Sequence, residues 1–213
     1  KILKSSFSQI NACDNHEKIP SNTDIVFVLN YDKIIPKRFY NLYKFGMIVI
    51  HSSDLPNGRG WAPIYHSINN SDEEFVITAL KIAEKVDRGD IIMKLRIKKP
   101  KFITNKNLRD IDEDGTILLI KKIIELLSSE MHEVLQGSPQ NDDNAFYNKR
   151  RTKEDNLINS NKTISNSLLH ILATNGDYPA YVIVEGEKVY LSATTDKFYS
   201  LKEMEYIFET NGK

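Results

Sequence analysis

Two short apolar runs frame what this chain can fold into. Ile25-Val26-Phe27-Val28-Leu29 follows a stretch of turn-forming residues, and Met47-Ile48-Val49-Ile50 comes next. Both read as strands buried in a parallel sheet. Between them, Pro36 opens a segment carrying Phe39, Leu42 and Tyr43 that reads as a short helix, giving a β-α-β unit. A further helix is expected over 61–68, with Pro63 tolerated in its first turn. Residues 75–80 and 91–97 alternate enough to read as strands.

The spacing of Ile117, Leu118, Ile120, Ile123, Ile124, Leu127, Met131 and Leu135 predicts a helix over 115–136 that covers the core. The polar run 137–144, with Pro139, then reads as the start of a linker. After it come a helix over 164–173 and two strands, 180–184 and 188–192, flanking Glu185-Gly186-Glu187 as a hairpin. Ser200 and Glu203 have capping-box spacing, so a last helical turn is expected there. The organisation is thus an α/β core over 1–136, a linker over 137–151 and a small helix-and-hairpin extension over 152–213.

With 213 residues, 40% of them hydrophobic, the chain can bury a sizeable core. Lys and Arg balance Asp and Glu at 29 each, so no global basic field draws nucleic acid. The lone Cys13 excludes an intrachain disulfide and argues against a cysteine-built metal site; no metal is expected, and a reducing cytoplasm fits. No run approaches the roughly 20 apolar residues of a membrane span.

Chemistry concentrates in two places. His51-Ser52-Ser53-Asp54-Leu55-Pro56-Asn57-Gly58-Arg59-Gly60-Trp61 puts an imidazole at the end of a rigid strand and follows it with a Gly- and Pro-punctuated loop. Downstream, Val86-Asp87-Arg88-Gly89-Asp90-Ile91-Ile92 carries a carboxylate at a strand-to-turn boundary. Their order and separation resemble the formyltransferases that use 10-formyltetrahydrofolate. The longer first motif looks most like the branch acting on nucleotide-linked amino sugars. The resemblance covers roughly residues 25–97 and implies a Rossmann-like core with a mostly parallel sheet.

The resemblance also implies roles. His51 would donate to the oxyanion of a tetrahedral intermediate, and Asp87 would orient it and relay protons. The family usually has Asn two residues before that His; Val49 stands there, and Asn30 at the end of the previous strand is the candidate replacement. Leu29, Asn30, Tyr31, Asp32, Lys33 and Ile34 resemble the loop that seats the pterin, with Ala83 and Val86 on the opposite wall. Asn57, Arg59, Trp61, Arg150 and Arg151 are candidate acceptor-binding residues.

Bland readings stand beside several of these. Arg150 and Arg151 suit a diphosphate or a merely solvated linker, and Trp61, Tyr65 and His66 suit a pocket mouth or the core. His170 stands near a position where relatives often carry Arg. Relatives begin with a strand and a helix for which residues 1–24 leave little room, so the first β-α element is expected to be missing. Ile2-Leu3 would end its helix and 8–12 would be the second strand. The expected activity is formyl transfer to an amino sugar on a nucleotide, for surface glycan synthesis, by a homodimer paired through the hairpin. The alternatives are another amine, on methionyl-tRNA or glycinamide ribonucleotide, and a silent binding module.

Overall fold

A computed structural model of the chain describes residues 9–129, 131–143, 145–159, 161–174 and 176–210. The apolar runs become strands β1 (Val26–Leu29) and β2 (Met47–His51), which pair in parallel as predicted. A two-residue strand, β3 (Arg59–Gly60), follows in the loop after β2. Next come the long strands β4 (Glu74–Lys81) and β5 (Ile91–Lys98). Later in the chain lie β6 (Tyr147–Asn148), β7 (Ala180–Val184), β8 (Glu187–Leu191) and β9 (Tyr206–Thr210). The central sheet has five strands in the order β1-β2-β4-β5-β9. Beyond the first pair its neighbours run antiparallel: β2 with β4, β4 with β5, and β5 with β9.

The α/β class stands, while the mostly parallel sheet is corrected to a mixed one with a single parallel pair among these five strands. An unbroken apolar run reports burial on both faces and says nothing of direction. Six consecutive residues of β4, 75–80, are buried. The segment linking β1 to β2 is also less regular than expected, a single 3-10 turn at Lys37–Phe39.

Helices α1 (Pro63–Asn69), α2 (Asn105–Ser128) and α3 (Ile164–Ala173) accompany the sheet, α1 and α3 at their predicted positions. The long helix α2 covers the sheet but begins ten residues before the expected Gly115, because its first turns are polar yet buried. Thr104 caps it by accepting from the Asn107 N–H at 3.2 Å. Asn105 donates to the Ala173 carbonyl at 2.8 Å, and Asn107 exchanges bonds with the Tyr199 backbone at 2.6 and 2.8 Å. Gly115 lies so close to the sheet that a Cβ there would stand 2.6 Å from Ile77 Cδ1. Beyond Ser128 the helix ends, and His132–Gln136 forms a separate 3-10 turn.

Leu172, Ala173 and Leu201 join the same core as Ile77, Leu95 and Ile120, and β9 extends the main sheet. Segment 152–213 therefore supplies core elements as well as the small hairpin of β7 and β8. The expected capping box closes a 3-10 turn at Leu201–Glu203. The chain then turns into the sheet, leaving Ile183, Val184 and Tyr190 of the hairpin exposed. At the other end, residues 9–12 form no strand; Ile2, Leu3 and Ser8 lie outside the described residues.

Candidate active site

Parallel pairing of β1 and β2 brings their carboxyl ends together, where open α/β sheets hold their ligands. His51 is the last residue of β2. Its Nε2 faces the Gly58 carbonyl at 3.2 Å, and its Nδ1 stands 3.8 Å from Asp87 Oδ1. Both side chains are largely sheltered, 11% and 8% exposed, so the pair works in a medium of low polarity. Both ring nitrogens face oxygen acceptors. The 3.8 Å gap is wider than a hydrogen bond, as catalytic contacts often are before substrate closes them.

Asp87 reaches His51 because loop 82–90 leaves β4 beside Met47, with Ile82 N–H donating to its carbonyl at 3.1 Å, and folds back across β2. Asp87 adopts a left-handed φ of 57°. Its Oδ2 accepts from the Gly60 N–H at 2.8 Å, so one carboxylate ties together the two sequence motifs. Gly89 is required by close approach: a Cβ there would lie 1.7 Å from the Lys81 carbonyl oxygen.

The segment read as linker braces this loop. Gln140 Nε2 donates to the carbonyls of Asp87 at 2.9 Å and Gly89 at 2.8 Å. Tyr147 donates its hydroxyl to the Val86 carbonyl at 3.0 Å, and β6 pairs in parallel with β3. Arg59, expected to bind substrate, is fully buried. It donates to Gln140 Oε1 at 3.1 and 2.6 Å and to Asp142 Oδ1 at 2.6 Å. The departure has a plain cause: Nε and Nη2 are held in fastening 140–142 over the site and none of the side chain reaches solvent, while Nη1 is buried without a hydrogen-bond partner.

Gln140 and Asp142 thus brace the site loop without having been predicted to. Their only sequence sign is a polar run, which reads equally as a solvated connection.

Asp54 and Leu55 of the first motif are anchors as well. Asp54 accepts from Lys94 at 2.5 Å and from Arg96, whose charges hold its carboxyl below the usual range against the opposing effect of burial. Val49 packs with Leu55, Leu80 and Ile91, so a small apolar cluster occupies the position of the family's usual Asn.

The other candidates divide. The β1–β2 register puts Asn30 next in line beside His51, at an exposed left-handed φ of 46°. Leu29, Ile34 and Val86 are exposed apolar side chains, 45%, 68% and 51%, suited to the walls of a slot. Asp32 and Lys33 are also exposed. Tyr31 is turned to His16, with its hydroxyl 2.8 Å from Nδ1, and the Ala83 carbonyl accepts from Tyr40 at 3.0 Å. Asn57 is exposed, and Trp61 lies 4.8 Å under the Arg150 guanidinium. Arg151 stacks 3.2 Å over Tyr65 and donates to Asn156. Among the described residues, no cluster of His, Cys, Asp and Glu could hold a metal ion, and no helix is long and apolar enough to cross a membrane.

An imidazole on a strand end faced by a carboxylate, at the open edge of an α/β sheet, is an arrangement able to hold and pass a proton. Residues 8–112 match the family described as formyl transferase, and this part of the chain is a formyltransferase-family domain. The methionyl-tRNA formyltransferase of Pelagibacter ubique is 36% identical over 170 residues, 78% of this chain and 52% of that protein. HypX from Aquifex aeolicus in complex with tetrahydrofolic acid superposes with a TM-score of 0.64 at 18% identity, over 80% of this chain and 29% of that one. A 4-N formyltransferase from Francisella tularensis gives 0.59 at 24%, over 82% and 72%. At these identities the likeness to the two structures is one of fold. The chain spans about half the length of the curated relatives it matches.

Proposed function

We propose that this chain transfers a formyl group from a 10-formyltetrahydrofolate-type donor to a primary amine. The observation that carries the reading is the sheltered His51–Asp87 pair, fixed through Gly60 and Gln140 within a formyltransferase domain. In this reading the amine attacks the formyl carbon, the bond from that carbon to the folate nitrogen breaks, and the amine's proton ends on that nitrogen. His51 donates to the developing oxyanion, Asp87 holds the ring and passes the proton, and Asn30 supplies the second donor that Val49 cannot. Leu29, Ile34 and Val86 wall the pterin slot.

For the acceptor, the relative at 36% identity favours methionyl-tRNA over the nucleotide-linked amino sugar that the longer motif suggests. The sugar remains a second reading, supported by Lys149, Arg150, Arg151 and Lys162 gathered on the wall of one cavity between α1, α3 and β7. The test is incubation of the protein and 10-formyltetrahydrofolate with methionyl-tRNA and, in parallel, with nucleotide-linked amino sugars. Mass spectrometry then reads which acceptor gains a formyl group. Formylation of neither, with the donor shown to bind, removes the proposal.

A further inference from the structure

The end of β2 carries one contact that the chemistry assigned to His51 and Asp87 leaves unused. Ser52, the residue after His51, donates its hydroxyl proton at 2.7 Å to Oδ1 of Asp112 in α2. Asp112 is 8% exposed. The charged groups acting on it are Arg109 and Glu113, exposed on its own helix, and His51 at the end of β2. Arg109 gives its Nε–H to Asn105 Oδ1 at 2.9 Å. Burial therefore dominates and lifts the Asp112 pKa to about 6, against the pull of the Ser52 hydrogen bond, the Arg109 charge and the His51 ring.

The fold gives no account of this carboxyl. Asn105 and Asn107, also polar and buried in α2, fasten the backbone of Ala173 and Tyr199 and so hold the extension to the core. Asp112 fastens only the Ser52 hydroxyl, for which a neutral acceptor of the same shape would serve without a charge to bury. A titratable group kept at such a cost beside a strand end belongs with function more than with packing.

Its place supplies the function. Asp112 meets the chain one residue beyond His51, and the charges of the two act on each other. Asp87 faces the same ring, 3.8 Å from Nδ1. Two carboxylates on different elements thus bear on one imidazole. A second negative charge favours a proton on that ring and strengthens its N–H as a donor to a developing oxyanion.

We propose that Asp112 is a positioning residue for His51: held by the Ser52 hydroxyl, its carboxylate fixes the end of β2 and adds a second negative charge that keeps the His51 ring a donor. The inference rests on the formyl-transfer reading in taking His51 to be that donor. The sign follows from the titration. Above about pH 6 Asp112 is charged and supports the ring; below it the carboxyl is protonated and the support is lost.

The test is the pH profile of formylation of the acceptor found in the screen above, in the intact chain, Asp112→Asn and Ser52→Ala. In the intact chain kcat should fall as pH drops through about 6. Asp112→Asn is fixed in the neutral form. At about pH 8 it should lower kcat by up to about tenfold, the rate equivalent of one pKa unit, with KM for donor and acceptor unchanged. Near pH 4, where the native carboxyl is also neutral, the two should agree. Ser52→Ala removes the donor that holds the pKa down, so its fall-off should move to higher pH. A role confined to packing shifts the melting temperature and leaves the profile alone. Equal kcat in the intact chain and Asp112→Asn at every pH overturns the inference, and so does a loss of one size across the range.

Carbon NMR of the Asp112 carboxyl in isotope-labelled chain gives a readout without turnover. Its titration midpoint should move to higher pH in His51→Gln, since charge on the imidazole pulls it down. A moved midpoint in a chain that formylates nothing overturns the formyl-transfer reading and leaves the coupling standing. An unmoved midpoint in a chain that formylates overturns this inference alone.

Discussion

Ser52 donates its hydroxyl proton to Asp112 Oδ1 at 2.7 Å, which ties the residue next to His51 to α2, 60 positions further along the chain. Asp112 is 8% exposed, and burial raises its pKa to about 6, against the opposing pull of the Ser52 hydrogen bond and the Arg109 charge. A carboxyl whose folded pKa lies above its unfolded value of 3.8 binds its proton more tightly in the folded chain. The contribution of Asp112 to stability is therefore full below pH 3.8, falls as pH rises, and is lost beyond about pH 6.

Asp112→Asn keeps an acceptor for Ser52 and removes the buried charge. Urea unfolding at about pH 8 should show the variant more stable by up to about 3 kcal/mol, the linkage value of roughly two pKa units. The advantage should shrink toward zero near the unfolded pKa of 3.8. An equal difference at every pH means Asp112 does not titrate in this window.

His51→Ala removes the oxyanion donor and should lower the formylation rate by about 10² to 10³ with the fold intact. Asp87→Asn should lower kcat while donor binding is kept, because shape survives and the proton relay does not. Single-turnover kinetics separate the two effects. Normal turnover in His51→Ala removes His51 from the chemistry.

Arg59 is fully buried and fastens Gln140 and Asp142 over the site. Arg59→Met should destabilise the chain by about 2 to 4 kcal/mol, chiefly by leaving Gln140 Oε1 unpaired, and should lower kcat through a displaced Asp87 loop. Thermal unfolding and acceptor KM decide the matter. A raised KM with unchanged melting temperature would restore Arg59 as a substrate ligand.

Gly89→Ala must move backbone, since the new Cβ would meet the Lys81 carbonyl oxygen. The expected loss is on the order of 3 to 4 kcal/mol, at the severe end for one substitution, together with most activity. Gly186→Ala, in the hairpin turn with open space around it, should cost only its backbone strain at φ 87°. Denaturant midpoints of the two variants give the comparison directly.

The sequence by itself determined the parallel β1–β2 pair, α1, α3, the hairpin and the His51 and Asp87 motifs. These are local matters: apolar runs, helical spacing, turn residues and a strand end are written within a few neighbouring positions. Tertiary structure alone decided the antiparallel directions, the placing of β9 beside β5 and the early start of α2. The tail after Ser200 reads only as a helical turn, and no local pattern names the neighbour with which β9 pairs. Arg59 shows the same division within the site. Its place in a Gly-rich loop marks it for function, yet what its guanidinium does is set by Gln140 and Asp142, which reach it only when the chain folds back. A charged side chain carries the same letter in a substrate pocket and in a buried clasp, and only the partners that remove it from water distinguish the two.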